Sequence, residues 1–130
     1  MKKIMPRIIG HEQSGFVAGR DIRDNVLEAL IMLQVANKSP GEIKGAFIFL
    51  DFEIAYERMD RDFLLQVMRK MGFPPQFCWM IHTLVKDSSA RVFINGNISA
   101  MLIVASGARQ GCPSAPWMFA IYAEPLRLVV

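Results

Sequence analysis

Residues 90–104 read ARVFINGNISAMLIV, two runs rich in β-branched and aromatic residues on either side of Asn95-Gly96. Asn-Gly accepts the positive φ angles at both central positions of a type I′ turn, whose twist matches that of the flanking strands. A tight antiparallel hairpin is therefore predicted here, and it excludes an all-helical chain.

The segments before it carry a different period. In residues 21–38, DIRDNVLEALIMLQVANK, the apolar side chains Ile22, Val26, Leu30 and Leu33 recur at helical spacing. Asp21 stands as N-cap, and Lys38, Ser39, Pro40 and Gly41 supply the stop. Residues 45–51, GAFIFLD, form a short continuous apolar run between a glycine and an acid, which predicts a buried strand. From Ile54 the pattern turns helical, with Asp60 capping a helix whose stripe is Phe63, Leu64, Val67 and Met71. Gly72 and Pro74 stop it, and a further helix is predicted over residues 75–85. Residues 106–116 read as a loop of turn formers, and residues 117–130 as a buried apolar helix. Helices, one buried strand and a hairpin predict an α+β fold with helices packed on a small antiparallel sheet, in a single domain over residues 1–130.

Composition narrows the function classes. The 130 residues are 52% hydrophobic and 21% charged, which suits a packed globular core and excludes a disordered or low-complexity chain. Apolar stretches are broken by charge well before the roughly eighteen residues of a membrane span, and the N-terminus lacks the apolar core of a signal peptide. Cys78 and Cys112 lie far apart without a CxxC spacing, so free thiols in an intracellular, cytoplasmic or nuclear setting are expected. A net charge of +3 is compatible with a polyanionic partner, but the cations are spread along the chain.

Asp51 is the first candidate for chemistry. A carboxylate where an apolar strand emerges is costly to desolvate unless a cation meets it, and a divalent metal is one such partner. The alternative is that Asp51 caps the short helix after it. Glu53 reads as solvated or structural. Tyr56 can present a ring one helical turn beyond the acid, or serve as half-buried core.

Four blocks then carry a likeness: QSGFVAGRDIRDNV (13–26), FIFLDFEIAYERMDRDFLLQVMRKMGFP (47–74), SSARVFINGNIS (88–99) and GARQGCPSAPWMFAIYAEPL (107–126). Collinear over nearly the whole chain, they resemble the reverse transcriptase domain of non-LTR (LINE-type) retrotransposons. The resemblance implies part of the fingers and palm of a right-hand polymerase, which extends a DNA primer on an RNA template from deoxynucleoside triphosphates with two Mg²⁺ ions roughly 4 Å apart. By resemblance, Asp51 is the first catalytic aspartate and a metal ligand, and the Phe52 carbonyl is a further metal contact. Tyr56 falls on the steric gate against the ribose 2′-hydroxyl, and Gln110 and Gly111 on the segment that lines the incoming nucleotide. Arg20 is implied in holding the triphosphate or template backbone, and Arg109 in contacting the template or backbone.

The chain departs from the family pattern at Ile54, Glu57 and Ser114, where the family usually has lysine, aspartate and leucine. The family's aromatic-x-Asp-Asp motif does not occur up to Val130, and Asp60 and Asp62 read as a helix cap and first turn. The 130 residues alone are therefore expected not to polymerise. The alternative is a non-catalytic remnant that binds nucleic acid or a protein partner.

Overall fold

A computed structural model describes residues 1–38, 41, 46–109 and 111–128. They group into two compact units, Met1–Glu53 and Ile54–Val130.

In the first unit, a short helix α1 (Met5–Ile8) with Pro6 in its first turn buries Met5, and Ile9 and Val17 are buried after it. A loop leads to α2 (Ile22–Lys38). Asp21 opens this helix as predicted: its carboxylate accepts the Arg23 backbone N–H at 2.9 Å and pairs with the Arg23 guanidinium. That guanidinium holds the Asp21 carboxyl below its ordinary pKa. The predicted stripe is largely uncovered: Ile22, Val26 and Leu30 are exposed, Leu33 is half-buried, and none of the α2 residues is buried. Of the expected stop signals, Ser39 and Pro40 lie outside the described residues.

The predicted strand is corrected by the structure. Gly45 lies outside the described residues, and residues 46–50 are irregular, with Ile48, Phe49 and Leu50 more than two-thirds exposed at 78%, 76% and 71%. A strand exists only through a ladder to a neighbour, and none pairs with this run among the described residues. Its apolar pattern alone fixes neither pairing nor burial.

The second unit is built on three helices. The helix expected from Ile54 reduces to one turn, closed by the Arg58 N–H on the Ile54 carbonyl at 3.1 Å. Ile54 takes φ +55°, a left-handed conformation that a β-branched residue seldom adopts, and Asp60 is extended, so the turn does not run on into α3 (Arg61–Lys70). Asp60 caps α3 through its carboxylate, which accepts the Phe63 N–H at 2.7 Å. Asp60→Ala is expected to lower stability by about 1 kcal/mol, read as a drop in the urea midpoint.

Gly72, at φ +82°, stops α3, and Pro75 opens α4 (Pro75–Val85) on the predicted boundaries. Both α4 and α5 (Ala115–Ala123) pack on α3. Covered on two sides, α3 buries Leu64, Leu65, Val67 and Met68, while Phe63 is exposed and Met71 half-buried. Met59, Cys78, Ile81, Met118 and Ile121 complete this core.

Between α4 and α5 the chain folds back on itself. β2 (Phe93–Ile94) pairs with β3 (Asn97–Ile98) across Asn95 and Gly96, at φ +49° and +82°, the predicted hairpin. β1 (Ser89–Ala90) pairs with β4 (Leu102–Ile103) in the same antiparallel sense. Every strand residue is exposed, so the α+β content holds, while the helices pack on one another rather than on a sheet. The C-terminal helix begins at Ala115, two residues earlier than predicted, and tightens into a 3₁₀ segment over Glu124–Leu128. Pro125 lacks the N–H that would continue the α-helical ladder. Val130, the expected end of the helix, lies outside the described residues.

Candidate active site

Within the second unit, residues 106–108 are fastened along residues 56–61. The Ala108 N–H donates to the Tyr56 carbonyl at 2.8 Å, and the Gly107 N–H to the Met59 carbonyl at 2.9 Å. The Ser106 hydroxyl donates to the Glu57 carbonyl at 2.9 Å. From the other side, Arg61 donates through Nε to the Gly107 carbonyl at 2.9 Å and through Nη2 to the Ser106 carbonyl at 3.1 Å. Gly107 has φ +74°, and a Cβ there would fall 2.4–2.5 Å from the Glu57 backbone, closer than van der Waals contact allows. Only glycine fits between these two strands of chain.

This fastening fixes where Tyr56 stands relative to the loop that follows Ala108. The half-buried Tyr56 ring meets Phe119 edge-on, with centroids 5.5 Å apart and planes at 73°. Phe119 stacks on Tyr122 at 6.1 Å, and Tyr122 in turn meets Phe63 edge-on at 5.2 Å. The ring is thus backed by a row of aromatic side chains from α5 and α3, which restricts its motion.

Beyond the buried Ala108 the chain surfaces. Arg109 is exposed, and its carbonyl accepts the Cys112 N–H at 3.0 Å, closing a turn. Gly111 is the third residue of that turn, at φ +83°, with no heavy atom within 4 Å of where a Cβ would stand, so backbone is presented to open space. Gln110 lies outside the described residues. After the turn, Cys112 Sγ lies 2.9 Å from Ser114 Oγ. That hydrogen bond lowers the Cys112 pKa against the opposing effect of burial, with the Arg109 charge assisting. Both cysteines are free, as expected.

The other candidates sit in the first unit. Arg20 is occupied: its guanidinium donates to the carbonyls of Gln13 at 2.8 Å, Ile9 at 2.9 Å, Pro6 at 3.2 Å and Gly10. In this arrangement Arg20 ties the segment before α2 together through its Nη1 and Nη2 donors. Asp51 is exposed at the end of the apolar run, and its carboxylate accepts the Phe52 N–H at 3.0 Å. Its hard oxygens, and the backbone carbonyl of Phe52 next in sequence, are of the donor type Mg²⁺ takes, since that ion is commonly held by one or two carboxylates with water and substrate phosphates. Among the described residues no group of three or more His, Cys, Asp and Glu is placed to hold a metal. The donor types of Asp51 and Phe52 fit that ion, but the described residues do not complete a site for it. Asp60 and Asp62 serve as the cap and first turn of α3, as the sequence reading held.

Sequence reasoning missed Arg61, Ser106, Gly107 and Phe119. Arg61 did leave a trace, being a cation at the first position of a helix, where the dipole disfavours one.

Comparison with known proteins agrees with the four motif blocks. Residues 1–127 match the family described as reverse transcriptase (RNA-dependent DNA polymerase). The chain belongs to the reverse transcriptase family. It is 32% identical over 125 residues to the transposon TX1 uncharacterized 149 kDa protein of Xenopus laevis, covering 96% of this chain and 9% of that protein. It is 26% identical over 78 residues to the RNA-directed DNA polymerase from mobile element jockey of Drosophila melanogaster, covering 60% of this chain and 8% of that one. The resemblance to non-LTR reverse transcriptases is thereby borne out. The chain spans under a tenth of the length of either relative. Among its described residues no helix is long and apolar enough to cross a membrane.

Proposed function

We propose that the chain forms part of the fingers and palm of an RNA-directed DNA polymerase from a non-LTR retrotransposon, acting on an RNA template, a DNA primer and deoxynucleoside triphosphates. The observation that carries this reading is the fastening of Tyr56 to Ala108, beside the loop of Arg109 and Gly111. It ties the steric-gate position to the nucleotide-lining segment, so that a sugar lying on the loop meets a ring of fixed position.

In this reading Tyr56 excludes a ribose 2′-hydroxyl by its ring, and Gly111 lets backbone approach the nucleotide. Arg109 faces a phosphate of the template strand or nucleotide, and Gln110 takes the position implied by the motif. Asp51 and the Phe52 carbonyl hold Mg²⁺, which when bound supplies charge stabilisation at the transferring phosphoryl group. Arg20 acts through the loop it ties together. The chain's own contribution is therefore to position, to exclude the wrong sugar and to supply one carboxylate. Further carboxylates are expected from other parts of the full-length polypeptide.

Primer extension by the full-length polypeptide tests the reading. Tyr56→Val is expected to cut discrimination between deoxy- and ribonucleotides by at least about tenfold in kcat/KM, which corresponds to roughly 1.4 kcal/mol of selective exclusion. Tyr56→Phe, which keeps the ring and loses only the hydroxyl, is expected to discriminate as the unsubstituted protein does. Unchanged sugar selectivity in Tyr56→Val removes the gate, and absence of extension by the unsubstituted polypeptide removes the activity.

A further inference from the structure

We propose that Arg61 is a positioning residue for the nucleotide-lining loop, acting through the two peptide groups that link Ser106, Gly107 and Ala108 just before it. This inference rests on the function proposed above and adds a residue that the motifs do not mark.

Consider the two successive peptide groups that join Ser106, Gly107 and Ala108. The N–H of the first is bound by the Met59 carbonyl and its C=O by Arg61 Nη2; the N–H of the second is bound by the Tyr56 carbonyl and its C=O by Arg61 Nε. Both polar groups of both peptides are thus satisfied, and all four partners lie within residues 56–61. The two N–H bonds alone leave these peptide planes held on one edge. Arg61 holds the opposite edge, so the planes cannot rock about the N–H bonds.

The geometry of the side chain suits this task. A guanidinium presents Nε–H and Nη2–H along one rigid edge, which meets two neighbouring carbonyls at once. A lysine ammonium reaches the same carbonyls from a flexible stem and lacks that planar edge. Arg61 is half-buried and is the first residue of α3, which is anchored by the Asp60 cap and by the α4 and α5 packing. Its Cα is therefore fixed to the core of the unit. A loop tied to it inherits that fixed position.

The consequence falls on the residues just after the tie. Arg109 and Gly111 stand one and three residues beyond Ala108 on an exposed turn. A small tilt of the Gly107–Ala108 peptide plane is amplified along such a turn and moves the loop relative to the Tyr56 ring. Loosening the tie therefore weakens nucleotide placement before it touches the chemical step, and it lowers the stringency of the sugar gate.

Two measurements on the full-length polypeptide decide this, with Arg61→Met removing the donors at similar length and Arg61→Lys keeping the charge. By hydrogen exchange read with mass spectrometry, peptides covering residues 105–109 are expected to exchange about tenfold faster in Arg61→Met, with an intermediate rate in Arg61→Lys. Peptides from Pro75–Val85 serve as the reference and are expected to be unchanged. In steady-state primer extension, Arg61→Met is expected to raise KM for the deoxynucleotide about tenfold with kcat within twofold, and to narrow sugar discrimination, while Arg61→Lys restores part of both.

Unaltered exchange over residues 105–109 overturns the tie. Faster exchange there with unchanged KM and sugar discrimination overturns the positioning role, and faster exchange across Pro75–Val85 as well shows Arg61 to be a general stability residue instead. If the unsubstituted polypeptide extends no primer, the function proposed above fails while the exchange result still decides whether Arg61 holds the loop.

Discussion

Replacing Gly107 by alanine is expected to lower the stability of the second unit by about 2–5 kcal/mol, the largest effect of any glycine substitution in it. Two costs add at this position. The φ of +74° is left-handed, where an L side chain is disfavoured by roughly 1 kcal/mol. The new methyl would also stand 2.4–2.5 Å from three backbone atoms of Glu57, and backbone held by hydrogen bonds on both sides cannot retreat cheaply. The Gly107 N–H bond to Met59, the Ala108 N–H bond to Tyr56 and both Arg61 bonds are then forced apart together. Gly72→Ala is the control that isolates the second cost, since Gly72 also has a positive φ, +82°, but no heavy atom within 4 Å of the Cβ position. Urea midpoints of the two variants measure the difference. A Gly107→Ala midpoint equal to that of Gly72→Ala would show that the close approach of residues 106–108 to residues 56–61 is absent in solution.

That contrast also marks which features were legible in the sequence. Asn95-Gly96, Asp60 three residues before Phe63, Gly72 at a helix end and Pro75 at a helix start all act within one turn of chain, so residue identity alone fixed them. The Arg61 bonds join residues 45 and 46 positions apart, and no local pattern announces such a pairing. Gly107 reads locally as one more turn former; its requirement comes from Glu57, which only the fold brings near. Residues 47–50 failed for a related reason. An apolar run states a preference for burial, but whether it becomes a strand depends on a partner ladder supplied from elsewhere. In α2 the helical period was correct, and what covers its stripe was equally beyond local pattern. The residues of the candidate site were reached through motif resemblance rather than through periodicity. Composition and spacing brought Asp51 and Tyr56 forward only as an acid after an apolar run and an aromatic five residues on.

Asp51→Asn is expected to reduce primer extension by the full-length polypeptide by at least about a thousandfold while leaving template-primer binding within about twofold. The first figure follows from the role proposed for Asp51: a carboxylate that holds a divalent cation at the reacting phosphate is worth several kcal/mol, where each 1.4 kcal/mol is tenfold in rate. The second follows because affinity for the nucleic-acid backbone comes from cations that neutralise phosphates, and an aspartate supplies none. The surroundings of Asp51 make this substitution unusually clean. Its side chain is exposed and accepts the Phe52 N–H at 3.0 Å, an interaction that the Oδ1 of asparagine reproduces. Folding stability is therefore expected to change by less than about 0.5 kcal/mol, as for most exposed positions. A thousandfold loss without a change in the urea midpoint then isolates the chemistry of the carboxylate from the integrity of the fold. Extension retained to within tenfold would remove Asp51 from the metal site, and a matching loss of template-primer binding would reassign it to holding the loop that follows.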